Sequence, residues 1–309
     1  MSDLIVPLEG GLDAARGSVP GTFARALRTP TVVAGVVILC LIALVGVAAP
    51  VLTSLDPAAI NPAFRNKTPG AVETVRADDG SRSELRHWLG TDSLGRDVYA
   101  RVVYGARTSL AVGALVALLS VAIGLAIGLL AGYVRWLDGL LMRLMDGLMA
   151  IPAILLAIAL VSLSSAGLVA VIVAIVVPEV PRVVRLVRSV VLSVREEPYV
   201  EAAVAAGTPG PTLVVRHILP NTLPPLIVQA TYIAAFAILI EAILSFLGVG
   251  IPPETPTWGN IMAEGRTLFR VYPHTILYPG ILLALTILSV NLLGDGLRDT
   301  LDPRMRRRL

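Results

Sequence analysis

The sequence predicts an all-α membrane protein of six transmembrane helices with both termini in the cytoplasm. Three observations carry that expectation. Of 309 residues, 55% are hydrophobic and only 15% are charged, whereas soluble domains carry about 25% charged residues. Six apolar stretches recur along the chain, near the roughly 20 residues a helix needs to cross the hydrocarbon core. Arginines gather in the short connections on one side of those stretches. Mean hydropathy is +0.79, which excludes most soluble enzymes, disordered chains and nucleic-acid binders. The net charge of +3 calls for no anionic partner, so no nucleic acid is expected. A single cysteine, Cys40, cannot form an internal disulfide or a cysteine metal cluster.

The stretches run from about Thr31 to Ala49, Ser109 to Ala131, Leu140 to Leu163, Gly167 past Val177, Leu223 to Leu247, and Thr275 to Leu293. Their interiors are Leu, Val, Ile and Ala on all faces, as a lipid-exposed helix requires. The alternating strands of a membrane barrel are missing from the pattern. The first stretch follows Arg25 and Arg28, yet its apolar run exceeds the 7–15 residues of a signal peptide; it reads as an uncleaved anchor. With the amino terminus inside, the short inner segments hold Arg135, Arg143, Arg182, Arg185, Arg188, Arg195 and Arg216, and the tail holds Arg298, Arg304, Arg306, Arg307 and Arg308. That bias sets the orientation, because long outer loops translocate largely regardless of charge.

Five segments follow along the chain. Residues 1–30 form a cytoplasmic leader and 31–53 the first transmembrane helix. Residues 54–104 form an extracytoplasmic loop, ending in an amphipathic interfacial helix from Arg96 to Arg107 that leads into span two. Residues 105–298 hold five further spans, and 299–309 make a basic cytoplasmic tail. Trp258 and Tyr272, in the outer loop from Gly248 to Pro273, suit an interfacial position.

The most informative text lies between spans four and five, in the cytoplasmic loop 195–221. It reads Glu196-Glu197-Pro198-Tyr199-Val200-Glu201-Ala202-Ala203-Val204-Ala205-Ala206-Gly207, then Thr208-Pro209-Gly210-Pro211, and ends Arg216-His217-Ile218-Leu219-Pro220-Asn221. Pro198 suits a first helical turn, and glutamates around it complement the positive amino end of a helix. Small alanines let a helix backbone lie close in a partner's groove. Gly207 and the Thr-Pro-Gly-Pro cluster stop that helix. A second short helix, about Thr212 to Ile218, then completes a stiff hairpin.

This block resembles the Glu-Ala-Ala loop of ATP-binding-cassette importer permeases, through Glu201, Ala202, Ala203, Gly207, Leu219 and Pro220. His217 departs from it, standing where the general pattern has isoleucine. Arg216 with His217, Ile218, Leu219, Pro220 and Asn221 is similar to the peptide and nickel branch. So are Gly90-Thr91-Asp92-Ser93-Leu94-Gly95-Arg96-Asp97, Leu244-Ser245-Phe246-Leu247-Gly248 with Thr257-Trp258-Gly259, and Gly294-Asp295-Gly296-Leu297-Arg298-Asp299 with Leu301-Asp302-Pro303-Arg304.

The resemblance implies a type I importer permease fold and a peptide substrate, with nickel and glutathione importers as alternatives. It implies a homologous permease as heterodimer partner, two cytosolic ATP-binding subunits, an extracytoplasmic solute-binding protein and surrounding membrane lipid. Glu201, Ala202, Ala203, Gly207, Arg216, His217, Leu219 and Pro220 are then the residues that couple to the ATPases. ATP and magnesium belong to those partners. A phosphate-binding loop needs Gly-Lys-Ser/Thr, and the only lysine, Lys67, follows Asn66.

No catalytic residue and no metal ligand is expected, because the three histidines His87, His217 and His274 lie in separate segments without ligand spacing. Ionisable groups inside spans are costly and often functional. Glu179 has Arg182 three residues on and reads as a local pair, and Arg143 with Asp146 reads as another. Arg182, Arg185 and Arg188 suit either lipid headgroups or a partner. Glu241 and Asn291 are candidates for the translocation path, Glu241 equally for a bond to a neighbouring helix. An ion-coupled secondary transporter, the rival class, would need an acid such as Glu241 and leaves the Glu-Ala-Ala loop unexplained.

Overall fold

The computed structural model describes residues 29–76, 82–164 and 167–301. Most of the expected leader, residues 1–28, and the end of the basic tail, 302–309, lie outside the described residues. Helix α1 (Pro30–Val47) starts with proline at its first helical position, where the missing N–H costs nothing. It packs on α2 (Val98–Tyr133) and on α9 (His274–Leu301).

The chain is mostly helical, as expected, and two departures from the expected pattern fall between α1 and the end of α2. Strands β1 (Ala71–Arg76) and β2 (Arg82–His87) form an antiparallel pair with Ala71 opposite His87 and Arg76 opposite Arg82. A local signal for it stood in the text: Val72, Thr74 and Val75 favour strands, and Asp79-Gly80 favours a hairpin. The segment from Arg96 to Arg107 is no separate interfacial helix. Val98–Tyr133 is one helix of 36 residues, about 54 Å long at 1.5 Å per residue. Asp97 caps it, accepting from the Ala100 N–H at 2.6 Å, and no proline interrupts it.

The third expected span is broken. Helices α3 (Arg135–Met149) and α4 (Ala153–Ser162) meet at 86°. Pro152 supplies the cause, since it lacks an N–H and steers Ile151 away from helical geometry. Helix α5 (Leu168–Arg195) runs 28 residues through Pro178 and Pro181. Helix α6 (Pro198–Ala205) is the first arm of the loop hairpin. Helix α7 (Gly210–Phe246) is the second arm and the following long helix in one piece. Helix α8 (Trp258–Gly265) precedes α9. Among the described residues, four helices are long and apolar enough to cross a membrane, or five if α3 and α4 make one bent span. Helix α5 carries Glu179 and four arginines and falls outside that apolar set.

The main core is the seam between α2 and α5. Gly124, Gly128 and Gly132 of α2 face Val183, Val187 and Val191 of α5, and a Cβ on Gly128 would stand 2.6 Å from Val187 Cβ. Lipid tails are as apolar as valine, so helix pairs in a membrane are held by close packing of small residues. Gly128→Leu is expected to wedge this seam open and cost about 1–3 kcal/mol. Thermal unfolding of the detergent-solubilised protein reads this as a lower Tm, and an unchanged Tm would refute the close approach.

Candidate functional site

The loop hairpin stands on an apolar foot. Val200, Leu213 and Ile218 are buried and join the core of α2, α5 and α7. Arg195, at the end of α5, donates to Gly132 O at 2.8 Å and lies over the Tyr133 ring, 5.6 Å from its centroid. Helix α6 ends in a tight reversal. The Gly207 N–H reaches Val204 O at 2.9 Å and the Thr208 N–H reaches Ala203 O at 3.1 Å, with Gly207 at φ +79°. Paired bonds of this kind satisfy the last carbonyls of a helix and favour glycine at the left-handed position.

The expected second helix starts earlier than Thr212 and does not stop at Ile218. One π-helical turn, Val214–Ile218, joins Gly210–Leu213 to the rest of α7. Pro220 explains it: its ring crowds the carbonyl four residues back, at Arg216, and a widened turn relieves the clash. Asn221 ties the two arms, donating through Nδ2 to Tyr199 OH at 3.0 Å and to His217 O at 2.6 Å. The His217 ring packs 6.1 Å from that of Tyr199, so the residue that departs from the general pattern serves the hairpin itself.

All eight expected coupling residues therefore lie on one rigid hairpin. Glu201, Ala202, Gly207, Arg216 and Pro220 are exposed, and Ala203, His217 and Leu219 are half-buried. Val204 and Val215 stand 58% and 63% exposed beside them, giving the hairpin an uncovered surface of small and apolar side chains.

The α5 arginines find partners inside the chain. Arg182 donates to Glu179 at 3.0 and 3.3 Å, as its spacing suggests. Arg188 is bidentate on Asp138 at 2.5 and 2.7 Å. Arg185 takes Asp146 at 2.6 Å, which corrects the expected Arg143–Asp146 pair. The bend at Pro152 lays α3 along α5 and brings these acids within reach.

Glu241 and Asn291 do not meet. Glu241 is fully buried; Ser245 Oγ on its own helix donates to Oε1 at 2.8 Å, and Oε2 has no hydrogen-bond partner among the described residues. Asn291 borders a cleft between α5, α7 and α9 that also holds Glu179 and Arg182. Among the described residues, no group of three or more His, Cys, Asp or Glu side chains is placed to hold a metal ion.

Sequence reasoning missed how the outer blocks interlock. Arg101 has no exposed surface and reaches Glu264 Oε1 at 3.3 Å, Asn260 Oδ1 at 3.3 Å and Asp92 Oδ2 at 3.7 Å. Arg96 joins Asp92 at 2.8 Å and also Glu264. Burial raises the Glu264 carboxyl above its ordinary range, against the pull of the Arg101 and Arg96 guanidiniums. Trp258 is wholly buried rather than interfacial, its indole N–H donating to Val102 O at 3.1 Å. His87 sits between Asp97 Oδ2 at 2.7 Å and Glu73 Oε2 at 3.1 Å, pinning the strand pair to the start of α2.

Residues 124–307 match the family described as binding-protein-dependent transport system inner membrane component. The chain is 53% identical to a probable peptide ABC transporter permease protein of Sinorhizobium fredii, over 92% of each chain. It is 41% identical to a dipeptide transport system permease protein of Alkalihalophilus pseudofirmus, over 92% of this chain and 89% of that one. A glutathione transport system permease protein of Escherichia coli is 44% identical over 72% of this chain and 74% of its own. In fold it is similar to a chain of the inward-facing MetNI methionine ABC transporter, with a TM-score of 0.53, 22% identity, and coverage of 65% of this chain and 96% of that chain. The chain thus belongs to the binding-protein-dependent inner membrane components: it is a multi-pass permease subunit of an ATP-binding-cassette importer.

Proposed function

We propose that the chain is one of two homologous permease subunits of a peptide importer. It crosses the membrane six times, α3 with α4 and the arginine-bearing α5 each counting as one crossing, with both termini in the cytoplasm. Two cytosolic ATP-binding subunits hold ATP and magnesium and carry out hydrolysis, and an extracytoplasmic binding protein delivers the peptide.

The observation that carries this reading is the hairpin. Ala202, Ala203 and Gly207, next to the exposed Glu201, present a small-residue face that a groove can enclose. Arg216, His217, Leu219 and Pro220 join it directly to α7. Val200, Leu213, Ile218 and Arg195 lock its foot to α2 and α5. A push on α6 is therefore transmitted to three long helices as one body. Peptide as substrate is supported by the peptide and dipeptide permeases among the relatives, and glutathione stands as a second reading through the glutathione permease. Of the two path candidates we place Asn291 on the path, because it borders a cleft, and assign buried Glu241 to the packing of α7 against α8.

Affinity purification of the tagged chain from gently solubilised membranes tests the assembly. Mass spectrometry is expected to find a second permease and ATP-binding subunits, and the reconstituted complex to take up peptides only with ATP. A chain that purifies alone and transports without ATP would overturn the reading. Glu241→Gln keeps the shape and the Ser245 bond, so uptake is expected to stay near wild type. Loss of uptake with the complex intact would favour an ion-coupled mechanism instead.

A further inference from the structure

The cleft between α5, α7 and α9 has a volume of about 290 Å³ and is lined by Glu179, Arg182, Gln229, Tyr232, Phe236 and Asn291 among others. Its position sets it apart from the hairpin. Glu179, Gln229 and Asn291 lie roughly 15–24 Å along their helices from Arg195, Leu219 and Leu301, at 1.5 Å per residue. Charged and amide side chains gathered between apolar helices face water, a cargo or a protein neighbour rather than lipid.

The donors there are only partly used. Arg182 is 43% exposed while its partner Glu179 is 1% exposed. Arg182 Nη1 serves both Glu179 oxygens, and its Nε and Nη2 have no protein hydrogen bond among the described residues. The Phe236 ring lies under the guanidinium, 5.1 Å from centroid to Cζ, which holds its plane. Tyr232 OH is committed to Asp295 at 2.6 Å. The amides of Gln229 and Asn291 are uncommitted among the described residues. A planar cation with two free donors beside neutral amides is a receptor for a carboxylate and an adjoining peptide group.

We infer that this cleft is a passage site for the carboxyl-terminal end of a peptide, with Arg182 reading the carboxylate and Gln229 and Asn291 the last peptide bond. The inference rests on the peptide-importer reading above. Glu179 offsets much of the Arg182 charge, so the site attracts a zwitterionic peptide without holding it, as a path that must release its cargo requires.

The test uses the whole purified complex without the binding protein. In a Cys40→Ser background, Ile287→Cys places the chain's only thiol in the cleft. A water-soluble thiosulfonate is expected to label it, read by the mass of this chain. Dialanine to pentaalanine are added as free acids and as carboxyl-terminal amides. At least one free acid is expected to slow labelling at concentrations where its amide does not. The double variant Glu179→Gln with Arg182→Gln leaves no unpaired buried charge, and should raise the protecting concentration of the acid about tenfold or more, to that of the amide.

Absence of labelling, or equal protection by acids and amides, would overturn the site while leaving the importer reading in place. A complex that takes up no peptide when its binding protein is supplied would overturn the importer reading and this site with it.

Discussion

Gly207→Asp is expected to bring ATP-driven uptake to background while the two permeases still insert and pair. Gly207 sits at φ +79° and a Cβ added there meets nothing within 4 Å, so the chain itself has room for a side chain. The backbone cost for a residue other than glycine is about 1–2 kcal/mol, and aspartate tolerates this conformation better than most. On the proposed docking the damage falls outside the chain, where a carboxylate on the small-residue face would be buried unpaired in the partner's groove at a cost of several kcal/mol. Gly207→Ala imposes the backbone strain without the charge and is expected to keep much of the uptake. Peptide-stimulated ATPase activity, with Tm as the control for folding, reads both variants. Normal coupling in Gly207→Asp would remove the hairpin from the mechanism.

Arg101→Met is expected to have the largest effect on stability. Arg101 is enclosed by Glu264, Asn260, Asp92 and the Pro253 carbonyl, and it joins α2 to the loop and helix that precede α9. Removing one partner of a buried ionic group costs about 3–5 kcal/mol, because it strands the others. The variant should fail to accumulate in the membrane or unfold at a clearly lower Tm. Adding Glu264→Gln relieves one stranded charge and should recover part of the loss. If both variants match wild type, the network adds nothing to the fold.

The features that were legible in the text are local ones. Pro198, Gly207 and Pro209-Gly210-Pro211 mark the hairpin because a helix start, a left-handed turn and a helix stop each need only a few neighbouring residues. Glu179 and Arg182 pair at the spacing that one helix turn provides. Gly124, Gly128 and Gly132, four residues apart, carried a packing signal that composition alone conceals. What stayed hidden depends on distant residues. Arg185 finds Asp146 across 39 positions and Arg188 finds Asp138 across 50, because Pro152 bends a run of apolar text that reads as one straight span. Trp258 reads as interfacial beside Pro256, and only the fold brings its indole to Val102, 156 positions away. The strand pair is hard to read because an all-helical composition outweighs a short hairpin signal at Asp79-Gly80.

The proposed seating of the hairpin in an ATP-binding subunit is tested most directly by a single crosslinking measurement. In the Cys40→Ser background, Ala202→Cys puts a thiol on the exposed face of α6, and Glu254→Cys puts one in the outer loop as a control. Treatment of the assembled complex with a short thiol-to-amine crosslinker is expected to join the Ala202→Cys chain to the ATP-binding subunit, with a yield that changes when ATP is added. The Glu254→Cys chain should form no such product. If Ala202→Cys gives no ATPase-sized adduct in a complex that transports peptide, the coupling role of the hairpin is contradicted.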